Sequence, residues 1–235
     1  MRASYGITGN APIPNYSYLS LYSGQAYGGN PALAPFQISN DGLKWERTAQ
    51  FDIGFDFGLF NDKLTGEIDY YNKQTSDLLL NAPVPATSGY ETQFRNVGEL
   101  ENKGFELVLN YMLFKSADLS VSIGGNFAAN KNTITKLYGN VQQIGPTGSR
   151  FINALRVGEP IGIFYGREFA GADPANGDAL FFLNRQPTQD EVDNGDAFIV
   201  PDNVYGNRYV TNNFNLAGTK VLGNPTPKTI YGFNA

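Results

Sequence analysis

The clearest pattern in the chain is Phe51-Asp-Ile-Gly-Phe-Asp-Phe-Gly-Leu59, where large apolar positions alternate with polar or empty ones. Phe51, Ile53, Phe55, Phe57 and Leu59 take the odd positions; Asp52, Gly54, Asp56 and Gly58 take the even ones. Side chains in a strand point to alternate faces, so this ribbon is greasy on one side and polar on the other. At about 3.3 Å per residue the run spans about 30 Å. Tilted by about 40°, it rises about 23 Å, close to the roughly 25 Å apolar band of an outer-membrane barrel. A strand covering the core of a soluble sandwich alternates in the same way, so this run alone leaves both environments open.

Further along, the pattern returns. Residues 104–113 set Phe105, Leu107, Leu109, Tyr111 and Leu113 against Glu106, Val108, Asn110 and Met112. Residues 119–130 alternate likewise, with Leu119, Val121, Ile123, Phe127 and Ala129 on one parity. Residues 64–80 carry Leu64, Ile68 and Tyr70 against Thr65, Glu67, Asp69, Tyr71 and Lys73, and shorter strands are predicted at 2–8 and 229–233. Ala82-Pro-Val-Pro85 is expected to stop pairing, because proline has no N–H for a ladder. Two short turns, 60–63 and 114–118, join these strands, and three long connections, 9–42, 81–100 and 137–227, separate them. Tyr16, Tyr18 and Tyr22 offer short pairings in the first connection. The third holds Asn-Gly-Asp turns at 176–178 and 194–196 and predicts a hairpin pairing 161–167 with 179–183. No amphipathic helix is predicted.

Following the direction of travel, both short turns fall at one end of the strands and all long connections at the other. Outer-membrane barrels sort their loops in this way, with tight periplasmic turns and long extracellular loops. The pattern therefore predicts an all-β, antiparallel transmembrane β-barrel segment. Its lipid-facing side carries Phe51, Ile53, Phe55, Phe57, Leu59, Phe105, Leu107 and Leu109. Its lumen face offers Asp52, Asp56, Glu67, Asp69, Glu106, Asn110 and Asn126 for contact with a plug or ligand. Phe60, Tyr70, Phe114, Tyr231 and Phe233 suit interfacial girdles as well as ordinary hairpin packing. Six strands leave two unpaired edges, which lipid does not tolerate, so pairing with further strands is expected. The alternative is a soluble β-sandwich ligand-binding module.

Composition narrows the chemistry. The 235 residues include no Cys and no His, which rules out disulfides, thiolate metal sites and the commonest general base. A net charge of −5 with scattered Lys and Arg argues against nucleic acid. The N-terminus has no apolar run, so no signal peptide is expected there, and both ends read as strand, as in a segment of a longer polypeptide. Carboxylate pairs at Asp52/Asp56 and Glu67/Asp69 mimic the spacing of a glycosidase pair, yet any polar strand face offers such pairs, and no enzyme is expected. Acidic residues at Asp173 and Asp178, and at Asp190, Glu191, Asp193 and Asp196, raise loop calcium as the one candidate cofactor, but neither group has EF-hand spacing.

Asp41-Gly-Leu-Lys-Trp-Glu-Arg-Thr48, Asp52-Ile-Gly-Phe-Asp-Phe-Gly-Leu-Phe60, Leu64-Thr-Gly-Glu-Ile-Asp-Tyr-Tyr71, Asn96-Val-Gly98 and Asn102-Lys-Gly-Phe-Glu106 are further stretches of note. Together they resemble the C-terminal barrel of SusC/RagA-type TonB-dependent transporters. Arg2 to Asn10, Val157 to Gly162 and Gly223 to Lys228 are similar to family segments in the expected order. The resemblance covers most of the chain and is weakest at 140–150 and 185–215. It implies a plugged barrel of about 22 strands in the cell outer membrane of a Gram-negative, Bacteroidota-type bacterium. It also implies a SusD-like lipoprotein partner and import of oligosaccharides or peptides driven by the TonB-ExbB-ExbD complex. The plug and TonB box belong to regions that these residues do not match, so coupling residues are expected elsewhere in the parent protein.

Overall fold

The structure is a computed structural model that describes residues 1–139, 141–145, 153–200 and 206–235. Its strands in chain order begin with β1 (Arg2–Asn10), β2 (Leu21–Tyr27), β3 (Asn30–Gln37), β4 (Glu46–Leu59), β5 (Leu64–Ser76), β6 (Leu79–Pro83), β7 (Thr92–Asn96), β8 (Glu99–Lys115) and β9 (Ser120–Lys136). They continue with β10 (Gln143–Ile144), β11 (Asn153–Arg156), β12 (Ile163–Arg167), β13 (Phe169–Ala172), β14 (Ala179–Phe182), β15 (Val210–Thr211), β16 (Thr219–Gly223) and β17 (Thr229–Asn234). Among the described residues one short α-helix, α1, spans Gln189–Asp193, and a 3-10 turn spans Ala86–Ser88. The chain divides into two compact units, the first made of residues 1–143, 156–160 and 227–235, the second of residues 144–155 and 161–226.

The first unit is built on a six-stranded sheet of order β1-β4-β5-β8-β9-β17, antiparallel throughout. The alternation of Phe51–Leu59 fixes its register. Phe55 lies opposite Ile68, Ile68 opposite Leu107, Leu107 opposite Phe127 and Phe127 opposite Tyr231. Neighbouring rows read Phe57-Gly66-Leu109-Gly125-Phe233 and Ile53-Tyr70-Phe105-Ala129. A one-residue slip would turn every one of these side chains to the other face. The β4–β5 turn places Phe60, Asn61 and Asp62 at positive φ, a conformation that Asn and Asp tolerate and that is strained for Phe60. A register shift between Met112 and Phe114 sets Phe114 opposite Val121, so Phe114 rather than Leu113 continues the apolar row.

Two strands outrun their sequence signal. β8 and β9 have 17 residues each and continue through Glu99–Lys103 and Lys131–Lys136. Alternation stops there because Leu100 and Ile134, paired with each other, are the only large apolar residues in the two extensions, while the ladder goes on. The connection 9–42 contains the β2–β3 hairpin, in which Tyr22 pairs with Pro35, while Tyr16 and Tyr18 lie in turns. Pairing also continues through Ala82 and Pro83, opposite Gln93 and Thr92, contrary to the stop expected at 82–85. β6 and β7 form an isolated two-stranded ribbon, so Pro83 can direct its missing donor away from the only ladder.

The second unit corrects a pairing. Strand β12 pairs with β11 and β16, and it is β13 that pairs with β14, so the hairpin expected between 161–167 and 179–183 is not formed. The Asn176-Gly177-Asp178 turn closes β13–β14 instead, with Gly177 at φ 83° and its N–H donating to Asp173 O. Residues 140, 146–152 and 201–205 of the connection 137–227 lie outside the described residues. Leu180, Phe182, Val200 and Val210 form a closed apolar cluster here. The unpredicted helix α1 starts with a capping box, Thr188 Oγ1 accepting from Glu191 N and Glu191 Oε2 from Thr188 N. Its sequence signal was Thr188-Gln-Asp-Glu191, too short to show helical periodicity.

Two outcomes test these features. The ring of Tyr71 lies over Gly104, where an added Cβ would sit 2.5 Å from the ring tip, and its hydroxyl donates to Asn130 Oδ1 at 3.1 Å. Gly104→Ala should therefore cost about 1–3 kcal/mol in denaturant titration. Combined with Tyr71→Ala it should show a coupling of about 0.5–3 kcal/mol; strict additivity would remove the ring contact as the cause. For α1, the Arg185 guanidinium, with the Thr188 N–H, holds the Glu191 carboxyl at about 2. A lowered folded value means its contribution is complete above about pH 4.3 and lost as pH falls toward 2. Protection of the Asn194 amide, which donates to Asp190 O, should hold down to about pH 4.3 and then decline, and Glu191→Gln should abolish that dependence.

Candidate functional site: the polar sheet face and the loop unit

All seven polar candidates share one face of the six-stranded sheet, because they fall on one parity of an unbroken register. Three of them gather on a residue whose role sequence reasoning missed. The Arg2 guanidinium contacts Asp56 at 2.9 Å, Asp69 at 2.9 Å, and Glu67. Gly54, opposite Arg2, makes room: a Cβ there would lie 2.2 Å from Asp69 Oδ1. Beside this cluster Asp52 accepts from Ser4 Oγ at 3.0 Å and from Gln50 Nε2 at 2.8 Å. The only sequence signal for the cluster was a single arginine on the polar parity of β1.

The other three candidates are placed differently. Glu106, Asn110 and Asn126 are exposed on β8 and β9 and do not join the Arg2 cluster. Asn110 and Asn234 lie over Gly124, and Asn126 over Gly232, where a Cβ would come within 2.5 and 2.7 Å. Polar side chains thus lie across glycines along this whole face, as Tyr71 does over Gly104.

The opposite face holds all eight apolar candidates. Phe51, Phe55, Leu59, Phe105 and Leu109 are exposed, with Phe55 at 52%, and Ile53, Phe57 and Leu107 are half-buried. None of the eight is fully buried, so no closed interior forms over this face within the first unit. A soluble sandwich requires that cover, and its absence over an apolar face this broad sets that alternative aside. Among the described residues no helix is long and apolar enough to cross a membrane, which leaves strand crossing untouched.

The second unit carries a charged centre of its own. Glu168 accepts from Arg208 at 2.7 Å and pairs with Lys220 at 2.6 Å. Burial pushes its carboxyl up, but the two cations outweigh that and hold it below the ordinary range. Arg208 also donates to Asn184 Oδ1 at 2.6 Å and stacks over Phe182, 3.5 Å from the ring centre. Around it a cavity of about 490 Å³ is lined by Asn184, Arg185, Gln186, Asn207, Arg208 and Tyr209. The acidic groups considered for calcium do not converge: Glu191 is bonded to Arg185, Asp193 accepts from Gln189, and Asp173 and Asp178 serve their own turn. Among the described residues no three acidic side chains meet at a metal-binding point.

Comparison with known proteins agrees with this geometry. Residues 1–221 match the family model described as TonB dependent receptor-like, beta-barrel. TonB-dependent receptor P3 of Formosa agariphila is 36% identical over 99% of this chain and 23% of its own length. TonB-dependent receptor SusC of Bacteroides thetaiotaomicron is 34% identical over 59% of this chain and 15% of its own. A solved structure of the RagAB peptide transporter superposes with a TM-score of 0.79 at 29% identity, covering 99% of this chain and 24% of that one. The chain thus spans about a quarter of the length of P3 and of that transporter chain. One apolar face, one polar face and six strands in antiparallel order belong together in one architecture, and the chain is a member of the TonB-dependent receptor β-barrel family, of the SusC/RagA type.

Proposed function

We propose that this segment forms part of the wall of an outer-membrane transporter that imports oligosaccharides or peptides, with TonB-ExbB-ExbD supplying the energy and a SusD-like lipoprotein covering the extracellular side. The observation that carries this reading is the sorting of the six-stranded sheet into one broad exposed apolar face and one polar face. Hydrocarbon meets Phe55, Leu107 and Leu109; water in the lumen meets Asp52, Glu106 and Asn126. The long connections 9–42, 81–100 and 137–227 are extracellular, and the turns at 60–63 and 114–118 face the periplasm. Wall residues here supply no catalysis. They hydrogen-bond the plug or a passing ligand, while force on the plug opens the path.

The RagAB relative is described as a peptide transporter, which supports the peptide class. The amide- and arginine-lined cavity of the second unit suits the hydroxyls of a glycan or the amides of a peptide equally. It is the proposed extracellular contact for either ligand.

Leu107 and Asn126 test the two faces, since they sit on adjacent strands but opposite sides. Spin labels at Leu107→Cys and Asn126→Cys in the full-length protein, in bilayers, should part cleanly. The first should collide with oxygen in the hydrocarbon, the second with a water-soluble nickel chelate. Two labels with the same accessibility would refute the wall reading. Uptake of labelled oligosaccharide or peptide by cells carrying the full-length protein should fall to background when the proton gradient is collapsed. Uptake that survives collapse would refute energised import.

A further inference from the structure

The apolar face ends abruptly at its far side from the short turns. The row after Ile53-Tyr70-Phe105-Ala129 is Phe51-Asn72-Lys103-Lys131. Lys103 and Lys131 are therefore directly opposite each other on neighbouring strands, on the same face as Phe105 and Leu107. Side chains so paired have Cβ atoms about 5 Å apart, and like charges in that position repel. Lys103 is partly compensated, its Nζ lying 2.9 Å from Glu101. Lys131 is exposed and has no acidic partner among the described residues. Asn72, second in the row, has its side-chain oxygen buried without a hydrogen-bond partner.

A lone lysine at such a boundary serves simply by reaching toward water, its stem covering apolar surface. Two side by side, with one unneutralised, call for an anion between them. On the reading proposed above, this row sits at the extracellular edge of the hydrocarbon, among the headgroups of the outer leaflet. We infer that Lys103 and Lys131 clamp the phosphate of a lipid headgroup against the outer wall. The apolar rows below, Tyr70-Phe105-Ala129 and Ile68-Leu107-Phe127, line the path of its acyl chains.

This inference rests on the lipid-facing assignment, and the experiment separates the two. The full-length protein, purified in neutral detergent, is titrated with bis-phosphorylated lipid A and with the same lipid after removal of its phosphates, and retained lipid is counted by native mass spectrometry. The unsubstituted protein should prefer the phosphorylated form. Lys131→Gln, and Lys103→Gln added to it, should each weaken retention by about fivefold, without changing retention of the dephosphorylated lipid. The preference should also weaken with salt. Equal retention by the unsubstituted protein and the double variant overturns the clamp, as does equal binding of both lipids. If the Leu107→Cys label still reports hydrocarbon, only the clamp falls. If that label reports water, the membrane assignment falls and the clamp with it.

Discussion

A peptide group carried through hydrocarbon must find its partner on a neighbouring strand, because no water is there to replace it. That requirement governs the first unit. The β4–β5 ladder runs unbroken from Arg47 and Ser76 to Leu59 and Leu64, and β5–β8 continues it from Leu64 and Tyr111 to Thr75 and Leu100. With the backbone fixed in this way, each side chain has only two destinations, and alternation decides which. Rows four or five residues wide then form on the apolar face without any long-range packing instruction. The irregularities fall near the strand ends, at Glu99/Leu100 and Met112/Phe114, away from the rows that the apolar face depends on.

This explains what was legible in the sequence and what was not. Phe51–Leu59 and Phe105–Tyr111 were readable because one face is apolar and the other polar over their whole length. At Glu99–Lys103 and Lys131–Lys136 only Leu100 and Ile134 are large and apolar, too few to show alternation, so strand and loop have much the same composition and the ends of β8 and β9 were invisible. The β6–β7 ribbon was hidden for a different reason: two prolines signal a stop, and only the isolation of that ribbon makes one of them harmless. The three-carboxylate cluster was half visible. Its acids were on the right parity, but an arginine 54 to 67 residues away in sequence is tied to them only by the register of β1 on β4.

The second unit obeys another rule. Its buried side chains, Leu180, Phe182, Val200 and Val210, come from short strands and bends with no sustained alternation, and they face one another rather than a solvent. The capping box on α1 and the Glu168 centre with Arg208 and Lys220 do for this unit what the ladder does for the first: they fix short, irregular segments by satisfying specific polar groups. Such pairings join residues up to 52 positions apart, Glu168 with Lys220, and nothing local announces them. The mistaken pairing of 161–167 with 179–183 came from the same source, since strands of four or five residues carry too little pattern to choose among neighbours.

The polar face of the sheet is itself uneven, and that bears on how a barrel wall meets what it encloses. On β1, β4 and β5 the acids are engaged: Asp56, Glu67 and Asp69 on Arg2, Asp52 on Ser4 and Gln50. An incoming group would have to displace an existing bond to reach them, and would gain only the difference between two bonds. On β8 and β9, Glu106, Asn110 and Asn126 are exposed and accept or donate no side-chain hydrogen bond among the described residues. Here a new contact replaces water alone. The half of the face that looked richest in chemistry is therefore the half already committed to holding strands together. The plainer half, two amides and a single carboxylate, keeps its bonding capacity for something else.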